Sequence, residues 1–296
     1  MKTITMKCDK WQMTSLRQAS ARQASDNKDG ALRQAHSCRV SRVTRRPRAG
    51  FTLVELLTVI AIIAILAAML LPVLSAARKH ALKVKAHLQA VDIAAAIEKY
   101  DSDYGRFPVS SAVQTKAGTN DFTFGGSLFA ANIPPLPASY SIYTTNNSEV
   151  ITILMDITTY TNGIPTANVN HQKNPQQTKF LNANFTDDPT MGGVGPDLVY
   201  RDPWGNPYII SMDLNYDENC NDAFYSLKNV SQENGQTGWN GLVNPVAPGN
   251  SDNFQYHGKV MVWSAGPDGK IDPNPLASGG GSANTGANKD NVLSWQ

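Results

Sequence analysis

Residues 50–77 read Gly50-Phe51-Thr52-Leu53-Val54-Glu55, then LLTVIAIIAILAAMLLPVLSAA from Leu56 to Ala77. The second part holds 22 residues without a charge. As a helix rising ~1.5 Å per residue it is roughly 33 Å long, enough for the hydrocarbon core of a bilayer. A secretory signal peptide fits poorly, because the apolar stretch is too long and no A-x-A-like site follows it. Glu55 is the anomaly. A carboxylate at the bilayer centre costs about 2.5–3.5 kcal/mol on insertion scales, less near the interface, so such residues usually have a partner. A plain anchor has no use for one.

Outward from this stretch, charge divides the chain. Of the 296 residues, 26 are Lys or Arg and 24 are Asp or Glu. Residues 1–50 hold 12 of the basic side chains and 3 of the acidic ones, and the other 246 residues carry 14 and 21. A basic head precedes an acidic body. The head has no aromatic residue among its basic ones beyond Trp11 and no helix pattern, so nucleic-acid binding is not expected. Its Ser, Gln and Arg richness predicts a segment without a packed core. Arg39, Arg42, Arg45, Arg46 and Arg48 before the span outweigh Arg78, Lys79, Lys83 and Lys85 after it, which places the N-terminus on the cytoplasmic side. Cys8 and Cys38 lie in the head and leave Cys220 alone in the body, so no disulfide-built scaffold is available.

Gly50-Phe51-Thr52-Leu53-Val54-Glu55 resembles the processing site of type IV pilins and type II secretion pseudopilins. In that family a membrane peptidase cuts after the glycine and methylates the new N-terminus. The resemblance implies that residues 1–50 are a leader ending at Gly50 and that Phe51 opens the mature chain. Glu55 is then the fifth mature residue and Pro72 the twenty-second, as in the family. The leader is long, and Met6 or Met13 is a possible true start. The physics agrees with the resemblance. A neighbouring subunit's α-amine can pair with Glu55, neutralising both charges in the membrane and rewarding one axial register. Pro72 lacks an N–H and crowds the preceding turn, so it should kink or locally open the helix.

Past the span, Ala77, Ala81, Val84, Leu88, Val91 and Ala95 repeat at helical spacing. Ala90, Ile93, Ile97, Tyr100 and Tyr104 form a second stripe, roughly opposite at ~100° per residue. Two apolar faces need two partners: the chain's own globular part and neighbouring subunits, if this is not a plain buried core helix. Asp103-Tyr104-Gly105-Arg106-Phe107-Pro108 should end it.

Three further segments resemble the major, G-type pseudopilin of type II secretion: AIEKYDSDYGRFP at 96–108, the DPWG turn at 202–205 leading into YIISMDL, and KVMVWSAGPDGKID at 259–272. The tail KDNVLSW at 289–295 is similar to that subfamily's closing segment. Together the likeness covers about 51–108, 201–210 and 259–295. Asp-Pro and Gly-Asn-Pro are turn formers, and YIISMDL alternates as a strand does. Residues 109–200 are far longer than the family segment, and within them only EVITILMDI (149–157) reads as a regular element, helix or strand. Pro134-Pro135-Leu136-Pro137 and Met191-Gly192-Gly193 mark loops, and residues 211–256 are a second insert. Gly279-Gly280-Gly281 lengthens the C-terminal loop.

The G-type resemblance also implies a calcium site. Carried over by residue, Asp268 supplies a carboxylate and Ala265 a carbonyl. Asp290 falls on one family aspartate, Asn291 replaces the second, and Asn288 adds a carbonyl. Oxygen donors suit a hard cation, and exchanging Asp for Asn weakens the site. No enzyme constellation is present: the five histidines and three cysteines make no H-E-x-x-H or C-x-x-C pattern, and there is no G-x-S-x-G, P-loop or dinucleotide fingerprint. Cys220, in DENCND, reads as an incidental thiol.

The expected molecule is therefore α+β with a pilin fold. Residues 1–50 form the leader, 51–77 the membrane and assembly half of the helix, 78–108 its amphipathic half, and 109–296 a periplasmic domain with inserts at about 109–200 and 211–256. It is expected to be non-enzymatic, single-pass in a bacterial inner membrane, self-associating, and partnered by prepilin peptidase, the secretion platform and minor pseudopilins. A type IV pilus pilin for adhesion, motility or DNA uptake shares the N-terminus. A membrane-tethered binding module built on the inserts is the remaining alternative.

Overall fold

The computed structural model describes residues 50–126, 145–273 and 282–296. Leader residues 1–49, the Pro134–Pro137 loop and the Gly279–Gly281 stretch lie outside the described residues, as do Cys8, Cys38 and His36. The chain divides into two units, Met1–Leu57 and Thr58–Gln296.

Helix α1 spans Leu53–Tyr104, 52 residues, and begins in the first unit. It has no internal glycine and is assigned as helix straight through Pro72. Pro72 has no N–H to donate to the Ala68 carbonyl, so one rung of the ladder is missing there. Gly105 ends the helix: at φ +63° its N–H donates to the Asp101 carbonyl at 2.7 Å. A left-handed residue at this position satisfies a terminal carbonyl that would otherwise lack a donor.

The rest of the chain supplies, in order, α2 (Ser111–Ala117), β1 (Phe122–Phe124), α3 (Ser148–Leu154), β2 (Gly193–Val194), β3 (Tyr200–Arg201), β4 (Ile209–Met212), β5 (Asn219–Cys220), α4 (Lys228–Ser231), β6 (Gln232–Asn234), β7 (Thr237–Gly238), β8 (Tyr256–His257), β9 (Val260–Ser264) and β10 (Val292–Leu293). Four of these make the main antiparallel sheet, in the order β1-β4-β9-β10. The other strands form two-stranded antiparallel pairs, β2-β3, β5-β8 and β6-β7. A long apolar helix with small antiparallel sheets is the α+β, pilin-like architecture expected from the sequence.

The main sheet is covered on both faces. Side chains alternate across a strand, so Ile210, Met212, Val260 and Val262 point into one cluster and Ile209, Met261 and Trp263 into another. The first cluster takes Ala90, Ile93, Ile97 and Tyr100 from α1. The second is built mainly from the 211–256 insert, with Cys220, Phe224, Tyr225, Val230, Leu242 and Phe254. Each fully buried aliphatic or aromatic side chain contributes roughly 1.5–3 kcal/mol relative to exposure, so neither face is optional.

The first insert differs from the sequence expectation of loops with one regular element. The first contributes α2, edge strand β1, and α3, which resolves EVITILMDI as helix rather than strand over most of its length. It is stitched in by Asn147, fully buried, whose amide donates to the Tyr200 and Tyr208 carbonyls and whose oxygen accepts the Tyr200 N–H, at 2.8–2.9 Å. β1 escapes the pattern search because FTF is too short for an alternation to show.

Candidate functional site

At the N-terminus Gly50 and Phe51 are exposed, and a Cβ on Gly50 would meet nothing within 4 Å. Among the described residues nothing demands glycine here. Thr52 and Glu55 bond reciprocally. The Thr52 N–H and hydroxyl donate to Glu55 Oε2 at 2.9 and 2.8 Å, and the Glu55 N–H donates to Thr52 Oγ1 at 3.2 Å. This is a capping box, which satisfies amides that the first turn leaves open. Its T-x-x-E spacing is present in TLVE, so Glu55 has a local role besides the one expected in assembly.

Along α1 the two stripes separate. Ala90, Ile93, Ile97 and Tyr100 are buried in the first core cluster. Val84, Leu88 and Val91 are exposed, as are Ala77, Ala81 and Ala95. Among the described residues one helix is long and apolar enough to cross a membrane, and its most apolar window buries nothing within the chain.

The DPWG turn and the GPDG loop, 60 residues apart, meet. Asp202 is buried, and its Oδ1 accepts the Trp204 and Asn206 N–H groups at 2.9 Å. Its Oδ2 accepts the Ser264 hydroxyl and the Asn206 amide, and that amide also donates to the Gly266 carbonyl at 2.8 Å. Burial raises the Asp202 carboxyl above the usual range and these donors pull it back. Gly266, at φ +69°, lies so close to Asp290 that a Cβ would stand 2.2 Å from that residue's carbonyl oxygen.

The residues assigned to a cation come from this junction. Asp268 is exposed, with Oδ1 accepting the Lys270 N–H at 2.9 Å. Asp290 is half-buried, and burial first, then the Asp268 charge, raises its carboxyl. Asp290 Oδ1 and Asn291 Oδ1 are buried with no hydrogen-bond partner. Asn291 is held by its amide, which donates to the Tyr225 hydroxyl at 2.9 Å. Two orphan oxygens beside a second carboxylate fit a hard oxygen-seeking cation. Asn288, expected to offer a carbonyl to the cation, also has partners within the chain. Its carbonyl accepts the Asn291 N–H and its buried side chain bonds Asp272 in both directions, so it shapes the loop. Ala265 is buried beside the turn. Among the described residues no three His, Cys, Asp or Glu side chains converge as a metal centre.

Two polar clusters had no signal in the sequence reading. Asp156 and His171, 2.7 Å apart, close a loop in the first insert, both with positive φ. Asp121 stands before β1 beside the 213–219 loop, and burial, then the charges of Asp213 and Asp217, push its carboxyl up to about 7. Both depend on residues that only folding brings together. Cys220 is fully buried, and burial with the nearby Asp121, Asp222 and Asp213 charges lifts its thiol well above the ordinary value. That environment disfavours a reactive thiolate.

A family model described as the prokaryotic N-terminal methylation motif matches residues 45–71. Comparison with curated proteins and with solved structures gives no match. The motif, at the head of an apolar helix, supports a type IV prepilin-like chain with single-pass inner-membrane anchoring. It implies processing by prepilin peptidase and, as in pilin-type proteins, filament assembly.

Proposed function

We propose that the chain is a structural, non-enzymatic subunit of a type II secretion pseudopilus, closest to the major G-type pseudopilin. Peptidase cleavage after Gly50 and N-methylation of Phe51 release a subunit that assembles through α1, with its globular part in the periplasm. The secretion platform and minor pseudopilins are its partners, and filament growth helps export folded proteins. The observation that carries this reading is the Asn206 bridge, which joins the DPWG turn to the GPDG loop, the two segments most similar to the G-type subunit. Calcium is the proposed structural cation, held by Asp268, Asp290 and Asn291 with the Ala265 and Asn288 carbonyls; the orphan oxygens at Asp290 and Asn291 support it. It would neutralise two facing carboxylates and fix the C-terminal tail.

A chromosomal deletion tests the reading. Loss of outer-membrane export of folded enzymes, restored by the intact gene and with surface pili unchanged, is the expected result. Normal export with loss of pili would assign the chain to a type IV pilus instead.

A further inference from the structure

We infer that the groove between α1 and the C-terminal tail holds the headgroup of an anionic phospholipid while the subunit sits in the membrane. The groove encloses about 290 Å³, with His80, Lys83, Val84, His87 and Leu88 on its helix wall and Leu293 on its tail wall. The His87 ring ties the two walls together, donating from Nδ1 to the Leu293 carbonyl at 2.9 Å. Height follows from the helix. The charge-free run ends at Ala77, and a rise of ~1.5 Å per residue puts His80 and Lys83 roughly 5 and 9 Å beyond it. The headgroup layer on each side of a bilayer is about 5–8 Å thick, and a lysine stem reaches back toward it. The basic mouth of the groove therefore lies at headgroup level. This needs only the membrane span, whichever filament system the chain serves.

Charge names the occupant. From Leu56 to Val91 the helix carries no Asp or Glu, yet just past the span it carries Arg78, Lys79, Lys83 and Lys85, all exposed. None of these four makes an ion pair among the described residues. The acids nearest the groove are Asp290, whose field Lys83 shares, and the carboxylate of Gln296, and neither pairs with Lys83. A lipid phosphate supplies the missing counter-charge, and each basic side chain near an anionic surface raises affinity about fivefold. Val84, Leu88 and Leu293 add apolar walls that suit the carbons of a lipid's glycerol backbone, from which a free inorganic anion gains nothing. Val84 and Leu88 also belong to the stripe expected to meet neighbouring subunits, so the lipid belongs to the subunit before assembly.

The test uses the mature full-length chain in detergent micelles doped with phosphatidylglycerol or phosphatidylcholine, and native mass spectrometry reads the lipid retained per chain. The wild type should retain one phosphatidylglycerol, at least about fivefold more strongly than phosphatidylcholine. The double variant His80→Gln with Lys83→Gln should lose that preference. Arg78→Gln with Lys85→Gln removes two charges from the other side of the helix, at ~100° per residue, and should keep it. Every replaced side chain is exposed, so both variants should melt like wild type. Equal retention of the two lipids by wild type, loss of the preference in Arg78→Gln with Lys85→Gln, or displacement of the lipid by inorganic phosphate would overturn the inference. So would lipid-independent dimers that His80→Gln with Lys83→Gln dissolves, which would assign the groove to a second copy of the chain.

Discussion

Glu55 serves two masters. Within the chain it completes the capping box with Thr52, and in a filament it is expected to receive a neighbour's methylated amine. A carboxylate has lone pairs for both, so the box holds it ready rather than withdrawing it. Glu55→Leu should insert into membrane at least as well as wild type, lose about 1 kcal/mol at the helix start, and fail to form filaments. Thr52→Val shares the capping loss but keeps the charge, so it should assemble. Filaments sheared from overexpressing cells and immunoblotted separate the two, and normal assembly of Glu55→Leu would reject the pairing. Gly50 makes the complementary case. Since a Cβ there meets nothing among the described residues, Gly50→Val should fold and insert normally yet stay uncut, because a protease cleft needs close backbone approach. Intact mass would show the precursor, and a Phe51 N-terminus in that variant would disprove the processing site.

At the scale of elements, α1 presents one stripe to its own core and leaves the other outward. Leu88→Asp, on the exposed stripe, should change stability by no more than about 0.5 kcal/mol while blocking assembly; filaments from this variant would show that the stripe is not an interface. The sheet depends on a buried relay at its centre. The Ala223 N–H donates to Thr123 Oγ1, Thr123 to Ser211 Oγ, and Ser211 to Asp222 Oδ2, at 3.0, 2.8 and 2.6 Å. Asp222 also accepts the Trp263 indole N–H and the Phe224 and Tyr225 N–H groups. Three of these donors are N–H groups that cannot accept, at least one on each oxygen, so an amide in its place would point its NH2 at another donor. Asp222→Asn should therefore cost about 1–3 kcal/mol and lower the melting temperature by roughly 2–10 °C. An unchanged melting curve would mean the relay is not needed.

For the molecule as a whole, the C-terminal tail closes the sheet. β10 pairs with β9, and the His87 ring meets the Leu293 carbonyl at 2.9 Å. Calcium bound to the folded state alone adds about 2.7 kcal/mol at a hundredfold excess over its dissociation constant. At the GPDG junction that gain should appear as protection of residues 286–296 from carboxypeptidase. Asp268→Ala should lose the protection even if calcium still binds elsewhere. Equal trimming of wild type with calcium and with chelator would leave Asp268 an ordinary turn residue.

The N-terminal third was legible from residue order, because its constraints are local. Charge-free length, the Gly50-Phe51-Glu55 spacing, helical stripes and the Gly105 stop all act within a few turns of one helix. Which stripe faces inward was not written there, since both are apolar and only the sheet's position chooses Ile93 over Leu88. The inserts were opaque for the same reason. Phe122–Phe124 carries no periodicity and becomes a strand because β4 offers it an edge. Asn147 and Asp222, ordinary polar residues in sequence, become buried clamps only once strands up to 61 and 41 residues away meet them. The GPDG and DPWG motifs stood out singly, but their union through Asn206, and the unfilled oxygens of Asp121, Asp290 and Asn291, are properties of contact. Tertiary structure decided them, since burial and like-charge approach exist only between segments the chain has brought together.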